Sequence, residues 1–248
     1  MEYPAFFARF YDTIYESLRN ETDHHYFLDK ILNAKGPVLE VGVGTGRLFI
    51  EALNKGADVY GIDISPAMID IIKHKIPGDQ QQRVQIQDVS QMNIDRKFSL
   101  IVAPFRVFMH LVKTEDQLLA LEKVYQHLQQ GGAFIFDLFV PNLKMLVEGL
   151  DNFTDFEGFY APGKKLTRYS SMNVDPVNQI SHITFRLVWD EDDGEHEAIW
   201  KTELRLFFRY ELEHLLNLSN FTKFRIYGDF HESGLSSESR EFVVVCEK

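Results

Sequence analysis

Three features of this 248-residue chain predict an α/β fold, in which a doubly wound, largely parallel sheet carries an inserted antiparallel β-sheet. Up to Pro141, short apolar runs alternate with helical stripes, an order that implies parallel strands joined by helical crossovers. One of those runs stops at a glycine-rich turn, Gly42-Val43-Gly44-Thr45-Gly46, that opens a helix. From about Lys164 to Phe208 the periodicity changes to three long stretches alternating every second residue. No helical stripe separates them, which is the pattern of antiparallel strands.

Each element has a local reason. Phe6, Phe7, Phe10, Ile14 and Leu18 recur at helical spacing, so a helix is expected from about Ala5 to Leu18, and a second from near Thr22 to Asn33. Pro37 to Val41 is an apolar strand halted by the glycines, and Arg47 to Asn54 reads as a helix. Asp58 to Ile62 is a strand ending on Asp63, and Ser65-Pro66 opens the next helix, with serine as cap and proline in the first turn. Val84 to Gln87 alternates as a strand before Asp88, and Phe98 to Ala103 is a buried strand. Thr114 is expected to cap a helix reaching about Leu128, and Gly131-Gly132 leads into a strand over Ala133 to Leu138. In the alternating region, Asp175-Pro176-Val177-Asn178 and Asp192-Asp193-Gly194 supply hairpin turns. Tyr210 to Leu218 reads as a helix, and Phe224 to Tyr227 and Phe242 to Cys246 as closing strands. The expected organisation is one domain over 1–248. Its ligand-binding core is 1–150 plus 210–248, and an antiparallel insertion over about 154–209 covers the site.

Composition narrows the partners. The chain is 45% hydrophobic, and 26 Lys and Arg against 37 Asp and Glu give a formal charge of −11. Such a surface repels phosphate backbones, so nucleic acid is not an expected partner. No apolar stretch is long enough to span a bilayer, and the start Met1-Glu2-Tyr3-Pro4-Ala5 lacks the features of a signal peptide. The single cysteine, Cys246, has no internal disulfide partner and sits in an apolar run, as a buried strand thiol would. These features fit a cytoplasmic protein; no metal and no membrane are expected, and a homodimer is compatible with them.

The glycine turn alone says little, but three other features stand where a nucleotide-like ligand needs them. Glycines admit positive φ and let a ligand approach the backbone. Asp63 ends the second strand, 21 residues after Gly42, close to the roughly 20 expected of a carboxylate on ribose hydroxyls. Asp88 follows the third strand, where it can accept from an adenine amino group, and Pro104-Phe105 follows the fourth. The turn is G-x-G-x-G, whereas dinucleotide sites use G-x-G-x-x-G around a pyrophosphate. Glu40 precedes it, unwelcome beside pyrophosphate but suited to a ligand with an ammonium group. S-adenosylmethionine (SAM) has such a group, and a sulfonium besides.

At these residues the sequence resembles the class I SAM-dependent methyltransferases, whose core is a Rossmann-like sheet. Val38 to Arg47 is similar to the family's first motif, Gly61 to Met68 to the second, and Asp88-Val89 to the third. Leu128-Gln129-Gln130-Gly131-Gly132 stands where the family has L-x-P-G-G, with Gln130 replacing the proline. The resemblance covers roughly Tyr11 to Pro141 and the closing strands. It implies that Glu40 and Gly42 hold the methionine end, beside Gly44 and Gly46 of the turn. It further implies that Asp63 binds the ribose, Ile64 and Met68 pack near the adenine, Asp88 and Val89 fix its amino edge, and Ala103 offers its carbonyl to the ammonium. Tyr11-Asp12-x-x-Tyr15, the inserted sheet and Tyr227-Gly228-Asp229-Phe230 are similar to sugar-amine N-methyltransferases and glycine N-methyltransferase. There, Tyr11 and Tyr15 would lie on a helix that caps the cofactor.

The expected reaction is methyl transfer to a small-molecule acceptor through an N or O nucleophile, by in-line displacement. His110, just after the fourth strand, is the candidate general base, or else satisfies backbone there. Arg106 is a candidate for a substrate carboxylate or phosphate, and Tyr169 and Arg186 of the insertion are further candidates for substrate contact; Arg168, His182, Trp189 and Trp200 share that region. Ala103-Pro104-Phe105-Arg106 replaces the Asn-Pro-Pro-Tyr type of tetrapeptide used to methylate amino groups of bases or glutamine. The competing readings are an NAD-dependent oxidoreductase and a catalytically silent SAM-binding protein; an RNA methyltransferase is disfavoured by charge.

Overall fold

The apolar runs pair as expected in the computed structural model, which describes residues 2–18 and 21–248. The helices are α1 (Ala5–Leu18), α2 (Glu21–Asn33), α3 (Arg47–Asn54), α4 (Pro66–Lys75), α5 (Thr114–His127), α6 (Leu143–Glu148) and α7 (Arg209–Leu218). Strands β1 (Val38–Val41), β2 (Val59–Asp63), β3 (Val84–Ile86), β4 (Phe98–Ala103) and β5 (Leu128–Phe139) run parallel to one another. The closing strands β10 (Lys223–Tyr227) and β11 (Glu241–Glu247) complete the sheet in the order β10-β11-β5-β4-β1-β2-β3, with β11 antiparallel to both β5 and β10. From β1 the chain crosses to β2 on one side and later returns to β4 on the other. That reversal opens a crevice at the carboxyl ends of β1 and β4, where open α/β sheets bind ligands.

Successive residues of each strand face opposite sides, so the sheet is covered twice. Ile101 and Phe134 pack with Leu121 and Val124 of α5, whereas Val102 and Ile135 pack with Phe27 of α2, Phe49 of α3 and Ile72 of α4. Cys246 is a free, buried strand thiol. Among the described residues no helix is long and apolar enough to cross a membrane.

A second sheet is an antiparallel meander of β6 (Leu150–Ala161), β7 (Lys164–Asp175), β8 (Ile180–Glu191) and β9 (Gly194–Arg205). Its two expected hairpin turns form. Asp175 Oδ1 accepts from the N–H groups of Val177 and Asn178, each at 3.0 Å, and Glu191 pairs directly with Gly194. Its inner face, with Phe156, Leu166, Leu187 and Trp200, meets Phe7, Phe10 and Ile14 of α1 in a separate core.

Two elements depart from the sequence reading, and one cap differs. The second sheet has four long strands rather than three, because β6 carries register shifts at Leu150/Phe153, Thr154/Phe156 and Phe159/Ala161 that break its alternation. It is an edge strand rich in Asp, Asn and Gly, a composition that reads as loop. The short α6 was likewise not expected. Thr114 is the first helical residue of α5 and makes no cap bond; Lys113 stands before it, and Glu115 and Asp116 put negative charge at the positive end of the helix.

Candidate active site

Backbone hydrogen bonds hold the glycine turn against β2. Gly42 N–H (2.8 Å) and Val43 N–H (3.0 Å) both donate to the Ile62 carbonyl. Gly42, Gly44 and Gly46 have φ of 72°, 57° and 91°, which residues with side chains adopt only at a cost. A Cβ on Gly42 would lie 2.4 Å from the Val107 side chain, so glycine there lets the turn after β4 close on β1. A Cβ on Gly44 would meet nothing nearer than 4.0 Å, leaving its backbone open to a ligand. Gly46 differs: its Cβ would press on Ile72 of α4 at 2.6 Å, it precedes α3, and it lines neither cavity described below.

Asp63 is 8% exposed and fixes this turn from the other side. Its Oδ2 accepts from Gly44 N–H at 2.9 Å and its Oδ1 from Ser65 N–H at 2.8 Å. A carboxylate has about four acceptor positions, so each oxygen keeps capacity for a ligand hydroxyl. Burial raises its pKa, partly offset by those N–H groups. Ser65 caps α4, accepting from Met68 N–H, and donates to the Tyr3 carbonyl at 2.9 Å, which ties the chain before α1 over the site. Asp88 Oδ1 accepts from Ser90 N–H and Oγ, both at 2.8 Å.

Two adjoining cavities open along this edge. One, of about 290 Å³, is lined by Gly44, Asp63, Ile64, Met68, Asp88 and Val89, among others. The other, of about 430 Å³, runs from Glu40 and the glycine turn to the inner face of the second sheet at Phe185, Trp200 and Thr202. Tyr3, Tyr11, Gly42, Gly44, Phe105 and His110 border both. Tyr11 and Tyr15, one helical turn apart on α1, pack with ring centroids 4.4 Å apart, and Tyr15 faces the larger cavity. Ala103 is buried at the end of β4 and lines neither.

Glu40 is 1% exposed, lines the larger cavity and leaves Oε2 without a hydrogen-bond partner. Burial raises its pKa well above the usual carboxylate range, and the Arg47 guanidinium pulls it back. An orphaned buried carboxylate oxygen beside an open glycine turn fits the ammonium of SAM.

After β4 the chain turns through Phe105 and Arg106, both with left-handed φ (60° and 64°), a strained pair of the kind found at ligand sites. The turn lays Phe105 on the Arg47 guanidinium, 3.8 Å from the ring centroid. Arg106 is committed to protein carboxylates: Glu241 Oε1 at 2.6 Å, and Asp23 Oδ2 and Asp137 Oδ2 each at 3.4 Å. His110 lies at the junction of the cavities, its Nδ1 unpartnered, and burial pushes its pKa down to about 4. The imidazole is therefore neutral at pH 7, a weaker proton acceptor than its expected near-neutral pKa suggested.

Tyr169 and Arg186 require correction. They pair across β7 and β8 with the guanidinium 3.9 Å from the Tyr169 ring centroid, and Arg186 bonds Glu197 and Asn152. Neither lines either cavity, because strand alternation turns them to the face opposite Phe185 and Leu187. Sequence reasoning missed Tyr3, Asp23, Thr202 and Glu241. Only Tyr3 left a signal there, as one more tyrosine ahead of the Tyr11–Tyr15 stripe; the other three reach the site through tertiary packing.

These features define a class: an α/β protein that binds a nucleoside-bearing cofactor whose far end is cationic. Residues 38–132 match the family model described as a methyltransferase domain. The chain is 32% identical over 152 residues to the uncharacterized methyltransferase OB1106 of Oceanobacillus iheyensis, covering 58% of this chain and 67% of that one. It is 24% identical to YqeM of Bacillus subtilis, named as a methyltransferase, over 95% of each. Against a Bacillus mycoides methyltransferase the match spans about half (52%) of that relative's length. Among solved structures, the sugar N-methyltransferase KedS8 from Streptoalloteichus superposes with a TM-score of 0.75 at 17% identity, over 96% of this chain and 92% of that one. SAM-bound CalS10, an amino pentose methyltransferase from Micromonospora echinaspora, gives 0.69 at 18%, over 96% of each. The chain belongs to the SAM-dependent methyltransferase family. It is an enzyme of that kind, and its cofactor is SAM.

Proposed function

We propose that the protein methylates a small-molecule acceptor, through an N or O nucleophile, in the larger cavity. The observation that carries this reading is the meeting of the two cavities at Gly42, Gly44, Tyr3, Tyr11, Phe105 and His110. The smaller cavity has the carboxylates suited to adenosine, so the junction is where the reactive end of the cofactor would lie. SAM, when bound, supplies a methyl carbon activated by its sulfonium. The chain's task is alignment and exclusion of water. In this reading Asp63 holds the ribose, Ile64 and Met68 flank the adenine, and Asp88 with Val89 meets its amino edge. Glu40 and the backbone at Gly42 and Gly44 hold the methionine end, and Tyr11 and Tyr15 cap it. Ala103 contributes only its carbonyl. The core over 1–150 plus 210–248 binds the cofactor, and the insertion over about 154–209 shapes the acceptor space. That sugar and amino pentose methyltransferases share the fold supports a small acceptor.

His110 is assigned as a hydrogen-bonding partner at the junction, since a group of pKa about 4 stores a proton poorly at pH 7. The test is a methyl-transfer screen with isotopically labelled SAM over small amines, sugars and carboxylates, with transfer RNA and whole-cell protein alongside. Label in the small-molecule fraction is the expected result. Label confined to RNA or protein would overturn the reading.

A further inference from the structure

The larger cavity holds more negative charge than the protein itself neutralises. Asp23, Glu40 and Glu241 line it, and Asp137, fully buried, lies behind Arg106. Among the described lining residues only Arg47 and Arg106 bring permanent positive charge to set against these four carboxylates. Arg106 is already divided among three of them, and Arg47 stacks on Phe105 while opposing Glu40. Burial, opposed by Arg106 and reinforced by the neighbouring carboxylates, pushes Asp137 up to about 6 and Glu241 to about 7.

The polar atoms left over point the same way. Oε2 of Glu241 and Oε2 of Glu40 have no hydrogen-bond partner, nor has Oγ1 of Thr202, a residue 3% exposed on the β9 wall of the cavity. Leaving such groups unsatisfied costs about 1–3 kcal/mol each, a cost that a donor-bearing ligand removes. The cofactor carries an ammonium and a sulfonium against one carboxylate, and in the reading above its ammonium meets Glu40. Glu241 is left for a second donor. Aromatic rings complete the lining: Phe139 is the cross-strand neighbour of Glu241, and Tyr3 and Trp200 add further rings, a surface that also favours a cation, while Arg168 already stacks on Tyr15 and Phe185.

Resting on the reading of this cavity as the acceptor site, we propose that the acceptor is an amine, recognised as an ammonium by Glu241 with a neighbouring hydroxyl bonded to Thr202; the ammonium passes a proton to the Glu241 carboxylate, and the freed nitrogen lone pair then takes the methyl group as the sulfonium C–S bond breaks. Arg106 then serves as the internal counter-ion that keeps the acid cluster folded, and takes no part in holding a substrate anion.

The test is binding to the protein loaded with S-adenosylhomocysteine (SAH) at pH 8, using three ring compounds of one shape: 2-aminocyclohexanol, cyclohexane-1,2-diol and 2-hydroxycyclohexanecarboxylate. Ligand-observed NMR titration should show the amine binding at least about tenfold more tightly than the other two. Glu241→Gln, which keeps an acceptor for Arg106, should weaken the amine about tenfold while SAH affinity by calorimetry stays within about twofold. Thr202→Val, nearly isosteric, should weaken the amine and the diol alike. The proposal is overturned if the diol or the carboxylate binds as well as the amine, if the amine does not bind, or if Glu241→Gln leaves amine binding unchanged. Failure of the wild-type protein to bind SAH would take down the cavity assignment itself, and the amine with it.

Discussion

Single residues at the glycine turn are constrained by space and by hydrogen bonding, in different ways. Gly42→Ala sets a Cβ against Val107 at 2.4 Å in a backbone of φ 72°, combining overpacking with left-handed strain. A loss of about 2–4 kcal/mol is expected from the two together, read as a lowered midpoint in urea. Pairing it with Val107→Ala should restore part of that loss; no restoration would mean the contact is not the cause. Asp63→Ala is expected to weaken SAH binding on the order of 100-fold, since hydrogen bonds to a charged acceptor contribute about 1.5–3 kcal/mol each. Calorimetry decides it, and unchanged affinity would place the ribose elsewhere. Both positions were legible in the sequence, because a strand ending in glycines and the next ending in a carboxylate have few other uses in combination. Arg106 was not. Its strand-end position suggested a ligand contact, but three carboxylates distant in sequence converge on it.

At the scale of elements, the site depends on α1 being pinned between α4 and the second sheet. Trp200 of β9 anchors it there, with ring centroids 4.5 Å from both Tyr3 and Phe7 and 5.7 Å from Phe185. Trp200→Ala removes a nearly buried indole and should cost about 3–5 kcal/mol. Because the void opens beneath α1, the amides of that helix are expected to exchange faster with deuterium, and SAH affinity should fall with them. Exchange confined to β9 would show that α1 is held by other contacts. The helical stripe of α1 and the alternation of β7 to β9 were plain in the sequence. β6 was not, because its bulges displace the side-chain alternation by one residue at each shift, and α6 is too short to carry a periodic signal.

For the molecule as a whole, buried titratable groups set opposing pH dependences. His110 falls from 6.5 to about 4 in the fold, so between those values the unfolded chain binds the proton and the folded one does not. Its contribution is complete above pH 6.5 and is lost as pH falls towards 4, on the order of 3 kcal/mol in all. Asp137, raised from 3.8 to about 6, and Glu241, raised from 4.5 to about 7, have the opposite sign, since the folded state holds their protons longer and loses stability as pH rises through that range. Between about pH 4.5 and 6 the two acids outweigh the imidazole by one proton, so wild-type stability should decline as pH rises there. In His110→Gln the acid slope is left unopposed, and the decline measured by urea denaturation should be about twice as steep. A variant no steeper than the wild type would show that His110 is not buried as neutral imidazole.

The sequence by itself determined the cofactor half of this protein. A strand, its glycine turn and the carboxylates closing the next strands are local in the chain, and parallel crossovers bring them to one edge of the sheet with little freedom. Only the tertiary structure decided the larger cavity, proposed above for the acceptor. Asp23 of α2, Glu241 of β11 and Thr202 of β9 lie far apart in sequence and carry no shared motif, so their meeting depends on how the second sheet and the closing strands pack over β4. Alternation shows that residues of a strand divide between two faces, but which face is buried is set by the partner it packs against. That is why Trp200 and Thr202 entered the cavity while Tyr169 and Arg186 turned away from it.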